Sequence, residues 1–287
     1  MRIVVVGDAG LDVVARHTGI VDGGDSSARV QLTGGGAGAN TARWLAATGT
    51  ATTLIARVGD DAGGRLMRTE LEAAGVRCAF AVDADAATCC VVSLVDDGGQ
   101  RSMLADRGAN ARFRAEDVEA AALAGASHLH LSGYVLLYPS SRPGGLAALT
   151  AAKEAGLTTS VDPQAAALIT DPDRFLADVR GVDLLLPNAD ELTALAGSPH
   201  PAAAASLLGE VGAVAVTQGM AGASWIDGDG VVSVPAEPAD CVDSTGAGDA
   251  FDAGLLAAWL TGKSTVDSLR AGARLGAEAV SRVGAQP

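Results

Sequence analysis

Aromatic residues make up only 3% of this 287-residue chain, and cysteine occurs four times. No two cysteines form a CxxC pair, which argues against a zinc ribbon and a disulfide framework and is typical of reduced thiols. No apolar run approaches the length of a membrane span, and the first one is too short for a secretory signal. We therefore expect a cytoplasmic protein that has no membrane segment.

Basic residues are also few, since 20 Lys and Arg stand against 34 Asp and Glu, and the formal net charge is −14. This balance argues against nucleic acid and anionic membranes as partners, because both would be repelled. A small phosphorylated ligand remains compatible with the charge, because local N–H groups and a metal ion override the overall field.

Short β-rich runs alternate with Ala- and Leu-rich segments, which is the pattern of a mostly parallel sheet with helices on both faces. We predict one α/β domain over residues 1–287. The predicted strands are 2–6, 51–56, 128–131, 158–161, 184–186 and 213–217. The predicted helices are 37–48, 62–74, 115–123, 144–155, 189–196, 202–208, 250–260 and 265–282.

Two stretches interrupt the alternation, and we predict that they form a small β-sheet lid with segments at about 13–33 and 78–106. The first segment lacks helical periodicity. The second contains apolar runs at 88–95 and 101–104 around an Asp- and Gly-rich loop, as expected for a hairpin. Such a lid could close over a substrate and exclude water, although the pattern alone fits a surface hairpin equally well.

Polar residues follow several of the predicted strands. In open α/β sheets, ligands bind at the carboxyl ends of the strands, so these side chains are predicted to line one crevice. Asp12 and Arg107 are predicted near its mouth, where a guanidinium could contact a hydroxyl or carboxylate, or equally well remain in solvent. The strand-end residues are Asp8, Asp60, Asp162 and Asn188.

Residues 243–251 carry the most informative pattern, a small-residue turn followed by a carboxylate at the start of a predicted helix. Gly246 and Gly248 have no Cβ, so an anion can closely approach the amides of residues 246–248, and the helix N-terminus adds partial positive charge. Asp249 alone could serve as a helix cap. A cap does not need Gly246, Ala247 and Gly248 before it, whereas phosphoryl transfer needs an anion cradle beside a base. We therefore favour the second interpretation.

Three further motifs each fit two interpretations. Gly35, Gly36 and Asn40 lie at a glycine-rich helix start that either contacts a ligand or forms a plain turn, and the segment lacks the dinucleotide fingerprint. Asn188 and Glu191 supply either oxygen ligands suited to hydrated Mg²⁺ or a helix capping box. The glycine-containing turn at 217–222 either contacts nucleotide phosphate and ribose or joins two strands.

Taken together and in this order, the motifs resemble those of the ribokinase-like (PfkB) family of carbohydrate and nucleoside kinases, over nearly the whole chain. The glycine-rich segment ending at Asn40 is similar to the family's first signature, and the segment from Asp243 to Asp249 is similar to its second. The resemblance implies a three-layer α/β/α core with a mostly parallel sheet and a small β-sheet lid. It also implies an ATP-dependent kinase that phosphorylates a hydroxymethyl group of a sugar or sugar derivative.

The resemblance further assigns roles to individual positions. Asp249 would be the general base, and the amides of Gly246, Ala247 and Gly248 would form the anion hole. The residues implied to hold the acceptor are Asp12, Gly35, Gly36, Asn40 and Arg107. Those implied to bind the nucleotide are Asn188, Thr217, Gly219 and Gly222. Glu191 would hold Mg²⁺ through water, and Asp243 and Thr245 a monovalent cation such as K⁺.

Departures from the family pattern bear on the acceptor. Ribokinases carry Lys where this chain has Ala37 and Asn where it has Gly10, so two polar contacts to a pentose are missing. Arg107 is similar to the lid-return arginine of 2-keto-3-deoxygluconate kinases, which suits a sugar acid. The alternatives are a nucleoside kinase of the same family and a non-catalytic sugar- or nucleotide-binding regulator. The lid could cover its own active site or pair with the lid of a second subunit, and an exposed apolar lid face would favour the homodimer.

Overall fold

The structure is a computed structural model that describes residues 1–98 and 100–287, with Arg101 described by its backbone alone. Gly99, which belongs to the loop of the predicted hairpin, lies outside the described residues. None of the helices within these two ranges combines the length and the hydropathy that a bilayer crossing requires.

The strands fall into one large and one small sheet. In chain order they are β1 (Arg2–Val6), β2 (Gly10–His17), β3 (Ala28–Gly35), β4 (Ala51–Gly59), β5 (Val76–Asp83), β6 (Cys89–Val95), β7 (Arg101–Asp106), β8 (His128–Ser132), β9 (Thr158–Asp162), β10 (Leu184–Leu185), β11 (Ala213–Thr217), β12 (Ala223–Asp227) and β13 (Gly230–Val234).

The α-helices connect these strands. They are α1 (Ala37–Ala47), α2 (Ala62–Ala73), α3 (Ala120–Leu123), α4 (Tyr134–Leu137), α5 (Arg142–Glu154), α6 (Pro172–Asp178), α7 (Ala189–Ala196), α8 (Ala247–Trp259) and α9 (Thr265–Val280). Short 3₁₀ helices occupy Gly108–Arg112, Ala115–Asp117, Ala166–Leu168, Pro201–Leu207 and Gly219–Ala221.

The large sheet has the order β13-β12-β11-β10-β9-β8-β1-β4-β5. Its strands from β11 to β5 pair in parallel, and β12 and β13 add an antiparallel edge. Alternate residues of β1 enter two separate cores, with Ile3 and Val5 on one face and Val4 and Val6 on the other. A central parallel strand buried on both faces reads as a continuous apolar run. The arrangement confirms the predicted α/β class.

The small sheet has the order β3-β2-β6-β7 and forms the lid. β2 pairs antiparallel with β3 and parallel with β6, and β6 and β7 form the predicted hairpin. Residues 78–83, which the sequence analysis placed in the second lid segment, instead belong to β5, an edge strand of the large sheet that pairs with β4. They form an apolar run directly after α2, as a parallel strand should, so the second lid segment begins at Cys89.

Two predicted helices differ from the structure. Residues 115–123 form a 3₁₀ turn and then the short α3, because Asp117 accepts from the Arg114 amide and pairs with the buried Arg57, which fixes the turn before a longer helix can develop. Residues 202–208 are a 3₁₀ helix, Pro201–Leu207, although alanine favours the α form. The helix predicted to start at residue 250 begins at Ala247, so Gly248 and Asp249 lie in its first turn.

Candidate functional site

A cavity of about 190 Å³ opens at the carboxyl edge of the large sheet. It lies beside the first turn of α8, close to the ends of β9, β10 and β11. The predicted catalytic segment, the two residues of the 188–191 motif and Thr217 therefore meet in one place. The lining residues are Asp162, Gln164, Leu186, Asn188, Glu191, Thr217, Ser244, Gly246, Ala247, Gly248, Asp249 and Asp252.

Asp249 lines this cavity and is buried, with 7% of its surface exposed. Its carboxylate accepts hydrogen bonds from Asn40 Nδ2 at 3.0 Å, and from Thr41 Oγ1 and Gln164 Nε2 at 3.4 Å each. Burial raises the pKa of Asp249 to about 6, although these three donors oppose the rise. The group is therefore ionised at neutral pH and only weakly acidic, as a general base requires.

The turn before Asp249 is the segment predicted to form an anion cradle. Gly246 has a φ of 76°, a left-handed conformation in which a side chain would be strained. Within the described residues the backbone amides of Gly246 and Gly248 donate to no other group, whereas the Ala247 amide donates to the Ser244 carbonyl at 3.3 Å. Two of the three predicted amides are thus open, and the third is held in a long turn hydrogen bond.

Three of the residues predicted to hold the acceptor lie on the lid strands β2 and β3 or directly after them. Asp12 projects from β2, and burial raises its pKa to about 6. Gly35 leaves room for it, since a Cβ there would lie 2.3 Å from Asp12 Oδ2. Gly36 has a φ of 92°, and a Cβ there would lie 2.5 Å from the Asp8 carbonyl oxygen. Gly36 is therefore required by the close approach of the backbone between β1 and β2, whereas Gly35 leaves space for the Asp12 carboxylate.

Arg107, predicted to contact the acceptor, is held by protein groups. Its Nη2 donates to both carboxylate oxygens of Asp8 at 3.0 Å, and its guanidinium carbon lies 3.9 Å from the centre of the Tyr138 ring. Burial raises the pKa of Asp8, and the Arg107 charge offsets part of that rise. Asn110 fixes the same loop from the other side, since its amide exchanges hydrogen bonds with the backbone of Ala9.

Three residues of the cavity had no assigned role in the sequence analysis. Gln164 adopts a φ of 74° and donates to Asp162 at 2.6 Å as well as to Asp249. Asp252, one turn after Asp249, is buried beside Asp162, and burial together with the neighbouring carboxylates raises the pKa of both groups. Asp162 was marked only as a strand-end residue. Asp252 could have been found from the sequence, because it lies three residues after Asp249 and therefore on the same helix face.

The 188–191 motif forms the capping box that was one of its two interpretations. Asn188 Oδ1 accepts from the amides of Asp190 and Glu191, and Glu191 Oε2 accepts from the Asn188 amide at 2.9 Å. Burial raises the pKa of Glu191 to about 7, against the lowering effect of the Asn188 donors. Glu191 also lines the cavity, but its Oε1 and Oε2 both accept from Asn188, so a hydrated cation would share this carboxylate with the cap. The described residues contain no group of three acidic, His or Cys side chains suited to hold a metal directly.

The remaining residues predicted to bind the nucleotide lie at or after the end of β11. Thr217 lines the cavity and forms an isolated parallel β-bridge with Asn188. Gly219 begins a 3₁₀ turn with a φ of 54° and open space at its Cβ position. Gly222 has a φ of 96°, and a Cβ there would lie 2.1 Å from the Val234 carbonyl oxygen, so this glycine is needed for the hairpin of β12 and β13.

The loop before the cradle is closed on itself. Asp243 Oδ1 accepts from the Thr245 amide at 3.0 Å and from its hydroxyl at 2.7 Å, and Asp243 Oδ2 accepts from the Gly284 amide at 3.2 Å. Asp243 is 8% exposed. The two residues predicted to hold a monovalent cation are therefore hydrogen-bonded to each other, and both lie within three residues of Gly246.

Known proteins are similar to this chain over its whole length. A family model described as pfkB family carbohydrate kinase matches residues 1–287. An ATP-dependent ribose-1-phosphate kinase of Halopiger xanaduensis is 34% identical over 290 residues, which cover 100% of this chain and 94% of that protein.

Solved structures give the same result. A ribokinase of Arabidopsis thaliana, in complex with ribose and ATP, is 28% identical with a TM-score of 0.84 and covers 99% of this chain and 93% of its own. An Escherichia coli protein designated ribokinase II, in complex with ATP and Mg²⁺, is 25% identical with a TM-score of 0.88, and the match covers 99% and 94% of the two chains. The predicted ribokinase-like fold is confirmed.

Proposed function

The chain belongs to the PfkB family of carbohydrate kinases, and we propose that it transfers the γ-phosphoryl group of ATP to a hydroxymethyl group of a sugar or sugar derivative. The observation that carries the proposal is the position of Asp249, a buried carboxylate next to the open amides of Gly246 and Gly248. Phosphoryl transfer requires positioning and charge stabilisation more than covalent chemistry from the protein. This arrangement supplies both, with a base for the hydroxyl and donors for the transferred group.

The steps follow from the residues present. The acceptor hydroxyl would donate its proton to Asp249 as its oxygen attacks the terminal phosphorus and the bond to the β-phosphate breaks. The amides at the start of α8 would stabilise the charge on the transferred group, aided by the helix dipole. Asn40, Thr41 and Gln164 hold the carboxylate in place.

ATP and Mg²⁺ are the cofactors that we propose. Asn188, Thr217, Gly219 and Gly222 would line the nucleotide side, and Glu191 would hold Mg²⁺ through water. A single carboxylate with neighbouring oxygen atoms fits a cation that keeps most of its hydration shell. The ion would neutralise the phosphates in a cavity that several carboxylates line. Use of ATP agrees with the expected cytoplasmic location.

The acceptor class is a sugar, a phosphorylated sugar or a sugar acid, held by Asp12, Gly35, Gly36 and Asn40. The Halopiger relative is named for ribose 1-phosphate. Nη2 of Arg107 already donates to Asp8, so an anionic acceptor would have to share the Arg107 guanidinium with the Asp8 carboxylate. A nucleoside is the second acceptor class, and Tyr134 and Tyr138 are the aromatic side chains near the site that could stack on a base.

The test is an acceptor panel with ADP release as the readout. It should contain ribose, ribose 1-phosphate, fructose, 2-keto-3-deoxygluconate, adenosine and pseudouridine, each with and without Mg²⁺. The proposal expects ADP release that needs both a polyol and Mg²⁺. Equilibrium binding of ATP and a sugar without phosphoryl transfer to any acceptor would instead identify a non-catalytic regulator.

We also propose that a monovalent cation such as K⁺ supports the site through Asp243 and Thr245, whose loop leads directly into Gly246. A cation there would reinforce the positive potential at the cradle. Replacing KCl with choline chloride at constant ionic strength should lower kcat with ATP and the best acceptor. Equal rates in the two salts would remove this role.

A homodimer through the lid is the proposed assembly. Part of the lid sheet packs against α2. Away from α2, one face of the sheet is apolar and includes the exposed Val30, Leu32 and Leu104. A second copy of this sheet is the occupant that we propose for this face. Sedimentation velocity should give a dimer for the natural chain and a monomer for Leu32→Asp. A natural chain that sediments as a monomer would remove the dimer.

A further inference from the structure

Residues 284–286 pack between the predicted anion cradle, residues 246–248, and residues 34–40 at the end of β3 and the start of α1. The Ala285 carbonyl accepts from Trp44 Nε1 at 2.9 Å, which ties this segment to α1. Ala285 also packs against Gly246 so closely that a Cβ on Gly246 would lie 2.6 Å from the Ala285 Cβ. This packing places the side chain of Gln286 beside Gly34 and Asn40.

Gln286 takes part in a hydrogen-bond chain that runs in one direction. Arg43 can only donate, and it donates to Gln286 Oε1, so the Gln286 amide nitrogen must point the other way. That nitrogen donates to the Gly34 carbonyl at 2.7 Å and lies 3.5 Å from Asn40 Oδ1. Asn40 must then present its own nitrogen to Asp249, and it does so at 3.0 Å.

We propose that Gln286 is a positioning residue that fixes the direction of the Asn40 side-chain amide, so that Asn40 offers a donor and not an acceptor to Asp249. The Gly34 carbonyl gives an independent check, because it can only accept and therefore requires the same orientation of Gln286. The inference rests on the proposed role of Asp249 as the base.

No other group in the described part of the chain replaces this donor at equal distance. Thr41 and Gln164 also donate to Asp249, but at 3.4 Å. The titratable groups that face it from the surrounding elements carry no positive charge. They are Asp12 on β2, Asp162 on β9, Tyr134 on α4 and Asp252 on α8 itself. If the Asn40 amide reversed, its oxygen would face the carboxylate, and the ionised form of Asp249 would become less stable.

Two variants separate the direction of the amide from the effect of charge. In Gln286→Glu the side chain can only accept, so Asn40 must reverse to donate to it. In Gln286→Met the side chain neither donates nor adds charge, so Asn40 loses the partner that holds its direction. Gln100→Glu adds the same charge at an exposed site on the lid hairpin and serves as the matched control.

The readout is the acid limb of kcat against pH, with ATP and the best acceptor, supported by ¹³C titration of the Asp249 carboxyl in the full chain. Gln286→Glu should move the midpoint upward by about one pH unit, the loss expected for one hydrogen bond to a charged group. Gln286→Met should move it in the same direction by less. Gln100→Glu should leave it unchanged, and the KM for ATP should stay the same in all three variants.

The outcomes distinguish this inference from the proposed function. If Asp249→Asn keeps full turnover, Asp249 is not the base and the proposed function fails. If Asp249→Asn is inactive but both Gln286 variants keep the natural pH midpoint, only the positioning role is overturned. A change in Gln286→Glu without any change in Gln286→Met would show a charge effect and would also overturn it. Should Gln286→Glu fail to fold by circular dichroism, Gln286→Met decides the question.

Discussion

Gly248 and Asp249 are neighbours in the first turn of α8 and face the same cavity with opposite physical requirements. As the proposed base, Asp249 would have to be ionised although it is buried, and its carboxylate accepts hydrogen bonds from three donors on α1 and the loop after β9. The space at the Cβ position of Gly248 is open and its amide donates to no described group, so in the proposed transfer step this space would be left for the phosphoryl group. Each residue therefore gives a separate test of the proposed transfer step.

Replacing Asp249 with Asn should lower kcat by roughly 10²–10⁴, which is the usual contribution of a positioned general base. Asn keeps the size of the side chain and the contact with Asn40 but cannot accept the hydroxyl proton. The measurement is ADP release with ATP, Mg²⁺ and the best acceptor, together with ATP affinity by calorimetry, which should change little. Asp173→Asn, at an exposed position on α6, is the control and should behave as the natural chain does. An unchanged kcat in Asp249→Asn would remove the base from the mechanism.

Gly248→Ala should separate stability from activity. No heavy atom lies within 4 Å of a Cβ built at Gly248, so the fold can accept the methyl group, and alanine favours the helix by up to about 1 kcal/mol. The methyl group would occupy space intended for the phosphoryl group. We expect kcat to fall by roughly 10²–10³, as when one oxyanion-hole donor is lost.

The matched control is Gly276→Ala in α9, where a Cβ would lie 3.5 Å from the Ala247 carbonyl oxygen, an ordinary contact distance. It should raise the unfolding midpoint in a similar way and leave kcat unchanged. Thermal unfolding and steady-state kinetics on both variants give the comparison. Equal kcat values for the two alanine variants would contradict an anion site at Gly248.

Glu191→Gln should raise the Mg²⁺ concentration needed for half-maximal rate by roughly 10–100-fold, which is typical for the loss of a group that holds a metal through its outer shell. The amide keeps one of the acceptor contacts of the capping box, so α7 should stay folded. A Mg²⁺ titration at saturating ATP measures the effect. Asp190→Asn, exposed in the same helical turn, should leave the Mg²⁺ requirement unchanged. If both variants shift equally, Glu191 acts only through the general potential of the site.

Local patterns were sufficient to predict the parallel strands other than β5, the lid hairpin and the carboxylate at the start of α8, because each depends on residues close together in the chain. The contacts that complete the site could not be predicted in this way. Arg107 meets Asp8 across 99 positions, and Gln286 meets Asn40 across 246. Neither pair leaves a periodic signal. The division of residues 76–106 between the two sheets also depends on the pairing of β5 with β4, which is a tertiary choice.

The burial of Asp249 predicts a conflict between stability and activity that depends on pH. Its pKa is about 6 in the folded chain and 3.8 in an exposed Asp, so the folded state binds the proton more tightly than the unfolded state. The stability associated with this group is therefore fully present below pH 3.8 and is lost as the pH rises through 6. The full loss corresponds to roughly 3 kcal/mol. Asp249→Asn, which carries no charge at any pH, should escape it.

We accordingly expect Asp249→Asn to unfold at a higher urea concentration than the natural chain at pH 7.5, and the advantage should shrink as the pH falls through 6 towards 4. Over the same interval the natural chain should lose activity, because protonation removes the base. Urea unfolding and kcat measured across this pH series test both effects on the same protein. The Asp173→Asn control should show no such change of relative stability with pH, since the carboxylate that it removes is exposed in the folded and unfolded states alike. A variant at 249 that is less stable than the natural chain at pH 7.5 would mean that the hydrogen bonds from Asn40, Thr41 and Gln164 outweigh the cost of burying the charge.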